Sequence, residues 1–510
     1  MELNLQRQSI TINEVIFDGN TEQPVECDAL LPDYCPDIVK VLKCTISTHI
    51  HSTAVNGDRL TIEGMAVAHI YYASERSSVR HVEYKIPFGK MVELRMAPQN
   101  PVVSVLPRVD YVNCRPVNQR RVDVRGAITI GVKVQSQREE QVISGAEGAG
   151  LQLRREMVNA TEMMGQSSMQ FPVMEDLEIG YGKGQVGSVV RIDSRVNVQD
   201  HKIVAGKVVA KGDFLLHVLY ATVETEEKLE VMEYSLPISQ IIDAEGVDED
   251  CLCDVVMVVG SCDVQPRANE EGEYTGLSLD AKVQATVTAH RHKDIPVASD
   301  CYSTQFECKS KGRPVTFFRL VDMVRETLMH KVSLDLPEGV RSVLDAWCDV
   351  ENFSWKYEES SLRCEVRLTV CMFAGMEEGE VLYFEQPTEM EHTIPVEAPC
   401  ESILFEPSCD VLTSAYTLMG KEKIDIRCEV LLKGNAYCNI KKNSLGEIEV
   451  DETQIKQKRQ NKLYLYYANR GESVWSIAKE YNTASGAIWE ENDLENDALR
   501  EKRMLLIPIV

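Results

Sequence analysis

Aromatic side chains make up only 6% of this 510-residue sequence, so its cores must be built mainly from Val, Ile, Leu and Met. No stretch approaches the roughly 18–20 consecutive apolar residues that a membrane-spanning helix needs. The first residues, Met1-Glu2-Leu3-Asn4-Leu5-Gln6-Arg7, carry no apolar signal core, and the expectation is a chain that stays in the cytosol. Cysteine occurs sixteen times, yet no pair has C-x-x-C spacing. Several cysteines (Cys348, Cys364, Cys371, Cys428) lie within apolar runs, so free, buried thiols are expected rather than a disulfide framework. Cys251 and Cys253 would share one strand face, which is poor geometry for a bridge and unspecific for zinc.

The signatures of common catalysts are also missing: there is no Walker A sequence, no G-x-S-x-G and no H-E-x-x-H. Gly182-x-Gly184-x-x-Gly187 has the spacing of a dinucleotide fingerprint without a βαβ context, and reads as a loop. His49 with His51, and His290 with His292, would each share a strand face, where solvent-facing histidines are the expectation. Among 80 acidic residues a carboxylate pair carries no information. The expectation is no enzyme, no cofactor and no metal. Basic residues are outnumbered, and the net charge of −26 repels a phosphate backbone, so nucleic acid is not an expected partner. Residues 1–150 hold 16 basic against 18 acidic residues, a balance of −2, which leaves −24 on the remaining 360. Arg115, Arg120, Arg121 and Arg125 cluster in that first part, as basic residues on strand edges do.

What is present is self-similarity. An offset of 148 pairs Ile38, Val41 and Leu42 with Val186, Val189 and Val190, and His69 and Tyr72 with His217 and Tyr220. A more diverged third copy repeats the spacing at Val340, Val343 and Leu344, and Ser261-Cys262-Asp263-Val264 returns as Ser408-Cys409-Asp410-Val411. Within each copy the period is two, as in Leu60 to Val67 and Ile128 to Val134, with turn signals such as Asn56-Gly57. The fold class read from this is mainly β: three repeated β-rich domains, each a sandwich or open barrel, over 1–140, 150–295 and 310–440. A short helical turn is predicted after Pro36, and Phe317–Leu328 is read as strand. The Gly-rich stretch 145–150 reads as a flexible link and 441–462 as a polar linker.

Residues 463–510 follow a different pattern. A short strand enters the turn Gly471-Glu472-Ser473, where Ser473 is placed to cap a helix bearing Val474, Ile477, Ala478 and Tyr481. Thr483 is placed to cap a second helix with Ile488 and Trp489, and Met504 to Ile509 closes a βααβ unit. Gly471-Glu472-Ser473-Val474-Trp475-Ser476-Ile477-Ala478, Asn492-Asp493-Leu494 and Leu506-Ile507-Pro508 together resemble the LysM family. That resemblance implies a shallow groove between two loops, with Gly471, Glu472, Ser473 and Val474 on one side and Asn492, Asp493 and Leu494 on the other. Trp475, Ile477 and Trp489 either pack the small core or, for a tryptophan, anchor an interface. LysM modules often bind N-acetylglucosamine-containing glycans. Here Glu501-Lys502-Arg503 replaces a usual glycine turn, and Glu490, Glu491, Asp493 and Glu495 crowd the groove with acid.

The turn Pro36-Asp37-Ile38-Val39-Lys40-Val41-Leu42, the strand Gly64…His69-x-Tyr71-Tyr72 and the strand Tyr84…Pro87-Phe88, joined to this module, resemble the SPOCS-domain spore-coat morphogenetic proteins of endospore-forming bacteria. The resemblance implies a non-enzymatic mother-cell scaffold gathered at the forespore surface. Its LysM module would bind a coat-basement ATPase of the SpoIVA type rather than sugar, and its repeats would bind other coat proteins. The rival reading is a peptidoglycan- or chitin-binding cell-wall accessory, which would need an export signal.

Overall fold

The alternating pattern folds as strands. The computed structural model describes residues 4–75, 78–224, 228–396, 400, 402–420, 422–457, 461–494 and 496–509. The first copy comprises β1 (Asn4–Leu30), β2 (Lys40–Asn56), β3 (Arg59–Ala73), β4 (Val79–Glu93), β5 (Val102–Asn118) and β6 (Arg121–Glu147). These form two antiparallel sheets of order β1-β6-β5 and β2-β3-β4. Leu60 and Ile62 of β3 meet Ile128 and Ile130 of β6 in the core between the sheets, as a period of two on each strand requires.

The second copy repeats the plan with β7 (Leu151–Glu178), β8 (Val186–Val204), β9 (Lys207–Thr222), β10 (Leu229–Asp243), β11 (Leu252–Arg267) and β12 (Gly276–Ser303). The third uses β13 (Phe306–Asp335), β14 (Val340–Glu358), β15 (Ser361–Met376), β16 (Val381–Pro395), β17 (Ile403–Met419) and β18 (Lys423–Ile455). Their sheet orders, β11-β12-β7 with β10-β9-β8 and β13-β18-β17 with β14-β15-β16, are those of the first copy. The chain is thus mainly β, three sandwiches in series.

A repeated bulge explains how the copies meet. The register slips by one residue between Val41 and Lys43, between Val189 and Arg191, and between Val343 and Asp345. An extra residue turns its side chain toward the other face of the strand. The extra residues Leu42, Val190 and Leu344 all join one cluster with Tyr71, Leu219 and Phe373, which sit at matching places on β3, β9 and β15. The long outer strands build a second shared core from Ile10, Val158 and Val315. Equivalent positions from all three copies meeting twice means an approximate three-fold arrangement around a common axis.

This packing explains why the polar stretch read as a linker is partly strand. Residues 441–455 belong to β18, paired with the start of β13. Most residues there are polar, but Leu445 and Ile448 enter a core shared with Ile143, Leu151 and Ala298 of the other copies. The last strands of the copies likewise run beyond the expected ends, to Glu147, Ser303 and Ile455. The rest of that linker includes 458–460, outside the described residues.

The helical turn after Pro36 does not form. Arg120 donates to the carbonyls of Leu31, Pro32 and Cys35 and to Asp37, and the Tyr72 hydroxyl donates to the Pro36 carbonyl. These bonds fix an irregular loop whose carbonyls are then not free for a helix ladder. Phe317–Leu328 lies within β13 and Gly182-Lys183-Gly184 in a loop. His290 is buried against Tyr437 rather than facing solvent. The expectation of free thiols fails at one pair: Cys400 and Cys438 form a disulfide with Cα atoms 5.7 Å apart.

Candidate functional site

The C-terminal module consists of β19 (Leu463–Ala468), α1 (Val474–Tyr481), α2 (Ser485–Asn492) and β20 (Arg503–Pro508), with β19 and β20 antiparallel. Alternation along the two strands sends Tyr464, Tyr466, Leu505 and Ile507 inward, where they meet Val474, Ile477, Ala478 and Ile488 of the helices. Trp475 is buried in this core and Trp489 packs half-buried against it.

The expected groove residues fall into two groups. Gly471 takes a left-handed φ of 87°, which favours glycine at the tight entry to α1. Its N–H donates to the Leu499 carbonyl at 2.8 Å, Glu472 returns a carbonyl to Leu499, and the Val474 N–H donates to Asp497. The two loops are therefore laced together by their own backbones. Hydrogen bonds from Asn469 hold the Glu472 carboxyl below its usual range. Asn492, by contrast, is buried: its amide donates to the carbonyls of Ile488 and Leu506 and its oxygen accepts the Leu506 N–H. It fastens α2 to β20. Asp493 caps α2 in a left-handed conformation and is exposed, while Leu494 packs on the core. Glu490 and Glu491 are exposed, and Glu495 lies outside the described residues.

Neither expected cap operates as such. Ser473 occupies the N-cap of α1 but makes no side-chain bond to the helix; its hydroxyl donates to Asp497 at 2.8 Å. Asp497 supplies the cap instead, accepting the Trp475 N–H at 2.9 Å. A carboxylate beside exposed helix N–H groups makes charge-assisted bonds that a hydroxyl cannot. Ala484 is the N-cap of α2, and the Thr483 hydroxyl donates to the Pro508 carbonyl.

The module is seated on the second copy. The Trp475 indole N–H donates to Asp300 at 2.9 Å, and the Lys479 ammonium reaches both Asp300 oxygens at 2.9 Å. Tyr302 lies edge-on to Trp475 with ring centroids 4.8 Å apart and donates its hydroxyl to the Thr483 carbonyl. Arg154 pairs with Asp497 at 3.0 Å. Burial alone would raise the Asp300 pKa, but the bonds from Lys479 and Trp475 hold it below the ordinary carboxylate range. Sequence reasoning missed Asp300, Tyr302, Arg154 and Asp497. Three of them sit on strands of the second copy, remote in sequence, and no local period marks them.

Because both helices cover one side of the β19–β20 sheet, its other side is open. Leu463, Leu465, Tyr467 and Met504 lie on it, exposed by 48%, 59%, 76% and 48%. Exposed Arg470, Lys502 and Arg503 stand at its Tyr467–Met504 end.

A second polar feature lies where copies two and three meet. A cleft of about 410 Å³ is lined by Arg191, Asp193, His217, Glu233, Trp347 and Asp349, among others. Arg191 stacks 3.7 Å from the Trp347 ring and pairs with Asp345 at 3.0 Å and with Asp193. Burial would push the His217 pKa down, but its contacts with Asp345 and Glu233, at 3.5 and 3.4 Å, lift it to about 9. A raised pKa favours the folded state most fully below the unfolded value, near 6.5, and that share is lost as pH rises through about 9. The thermal midpoint should therefore fall between pH 7 and pH 10 by more in the parent than in His217→Gln. Equal falls would remove His217 from the account.

Comparison with protein-family models matches the SipL SPOCS domain at residues 37–117 and 185–266. A LysM domain matches residues 466–508. The chain carries SPOCS and LysM domains. The SPOCS matches span β2 to β5 of the first copy and their counterparts in the second, and the LysM match spans the βααβ module. Comparison with curated proteins and with solved structures returned no match. Together these domains liken the chain to SipL and suggest a sporulation-related protein. Both families are non-catalytic binding domains, and LysM domains typically bind glycan. No helix among the described residues is long and apolar enough to cross a membrane.

Proposed function

We propose that this chain is a non-enzymatic scaffold of endospore coat assembly, working in the mother cell at the forespore surface. Its LysM domain takes a coat-basement ATPase of the SpoIVA type, and the SPOCS copies hold other coat proteins. The observation that carries a protein partner rather than a sugar is the open apolar side of the β19–β20 sheet. Four large apolar side chains on six-residue strands suit a protein surface, whereas a glycan groove needs free polar groups. The loop backbones that would serve a sugar are spent on each other, and the acids beside them offer no hydrogen-bond donors. Attachment to a polymerised partner would multiply a modest single affinity through many simultaneous contacts.

The test is capture of the purified ATPase by the full chain. Leu465→Glu with Tyr467→Glu should lower capture at least tenfold while strand content and thermal midpoint stay unchanged, because both side chains are solvent-facing. Full capture by that double variant would move the interface elsewhere. Salt-resistant retention of the parent chain on insoluble peptidoglycan, with no ATPase capture, would favour the rival reading of a wall-binding accessory.

A further inference from the structure

The end of β12 and the start of β13 hold a cysteine pair that neither domain assignment uses. The sulfurs of Cys301 and Cys308 lie 3.8 Å apart on either side of the β12–β13 turn. Both enter the core shared by the three copies, beside Leu153 and Val450. Cys301 is 4% exposed, whereas Cys308 is half-buried and within reach of a small solute. The flanking residues Asp300 and Tyr302 are the seat of the LysM domain, so the pair lies under that contact.

We propose that Cys301 and Cys308 are a modification site: a dithiol that a small disulfide oxidises to an intramolecular bond, fastening copy two to copy three beneath the LysM domain. The sulfurs are already in contact at 3.8 Å, so less than about 2 Å of approach separates them from bonding distance. The chemistry balances with glutathione disulfide as oxidant. The Cys308 thiolate attacks one glutathione sulfur, one glutathione thiolate leaves, and a mixed disulfide forms. The Cys301 thiolate then attacks the Cys308 sulfur and expels the second glutathione. Two protein thiols lose two protons and two electrons, and glutathione disulfide becomes two glutathione thiols. The same contact lowers the Cys301 pKa and raises that of Cys308, so the proton the pair shares rests on Cys308 and must leave it before the first attack, which alkaline pH favours.

The experiment incubates the full native chain with excess glutathione disulfide near pH 8, quenches with an alkylating agent and digests with trypsin. Both cysteines fall in the peptide 294–309. The expected product is that peptide unalkylated and lighter by two hydrogens, formed at least tenfold faster than any change at Cys251 or Cys253. In denaturant that preference should vanish, since native positioning drives it. A stable glutathione adduct on Cys308 with Cys301 alkylated, or equal rates in native and denatured chains, would overturn the proposal.

Discussion

Trp475→Ala should unfold the LysM domain and leave the three β copies standing. Truncating a buried tryptophan costs about 3–5 kcal/mol. A module of this size holds on the order of a few kcal/mol in total, since stability scales at roughly 0.05–0.15 kcal/mol per residue. The indole is central to the small core and is also the donor to Asp300, so both the module and its seat are lost. Limited proteolysis should then remove everything after about β18 and leave a resistant body. Trp475→Phe separates the two roles. It keeps an aromatic ring against Tyr302 but cannot donate to Asp300, so the module should stay folded and sit less firmly. If the partner takes the outer side of the sheet, Trp475→Phe retains capture while Trp475→Ala loses it. Intact LysM resonances in Trp475→Ala would refute the assignment of this side chain to the core.

Much of this domain was legible from local pattern alone. The βααβ order followed from the Gly471 turn, the helical spacing of Val474, Ile477 and Ala478, and the closing Leu506-Ile507-Pro508. The caps were not legible, because a serine before a helix is a good signal only when no better acceptor comes from elsewhere. Asp497 is such an acceptor, brought back by the loop after α2. The three-fold packing was hidden for a related reason. Repeats at a constant offset reveal that copies exist but not that they face one another. The clue lay in Leu42, Val190 and Leu344, whose apolar side chains are one too many for a strand with one buried side. Read as helical spacing at the first copy, the extra residue is a bulge. The polar-looking 441–455 segment failed as a linker because its burial comes from other copies, which no window along the chain can register.

The same equivalence yields the strongest prediction for the body. Lys43, Arg191 and Asp345 occupy one position in the three copies, opposite Tyr71, Leu219 and Phe373. Were all three identical, like charges would meet at the seams. Instead Lys43 pairs with Glu385 across the seam of copies one and three, and Arg191 with Asp345 across that of two and three. Arg191 and Asp345 are almost wholly buried, so removing Arg191 leaves the Asp345 carboxylate with only His217, 3.5 Å away, as a counter-charge in a medium that solvates it poorly. Arg191→Met should cost about 3–5 kcal/mol, the usual toll of breaking a buried pair. It should show as a lower urea midpoint and faster hydrogen exchange along β8 and β14. Arg191→Met with Asp345→Leu removes both charges beside Leu219, Phe373 and Trp347 and should recover most of the loss, because apolar replacement of a buried pair is often neutral or better. Asp345→Arg should be worse than either, since it sets a second guanidinium against Arg191 and His217. A midpoint for Arg191→Met within error of the parent would mean that the seam is held by its apolar contacts alone. Divergence of this one position then would not be what keeps the copies in their order.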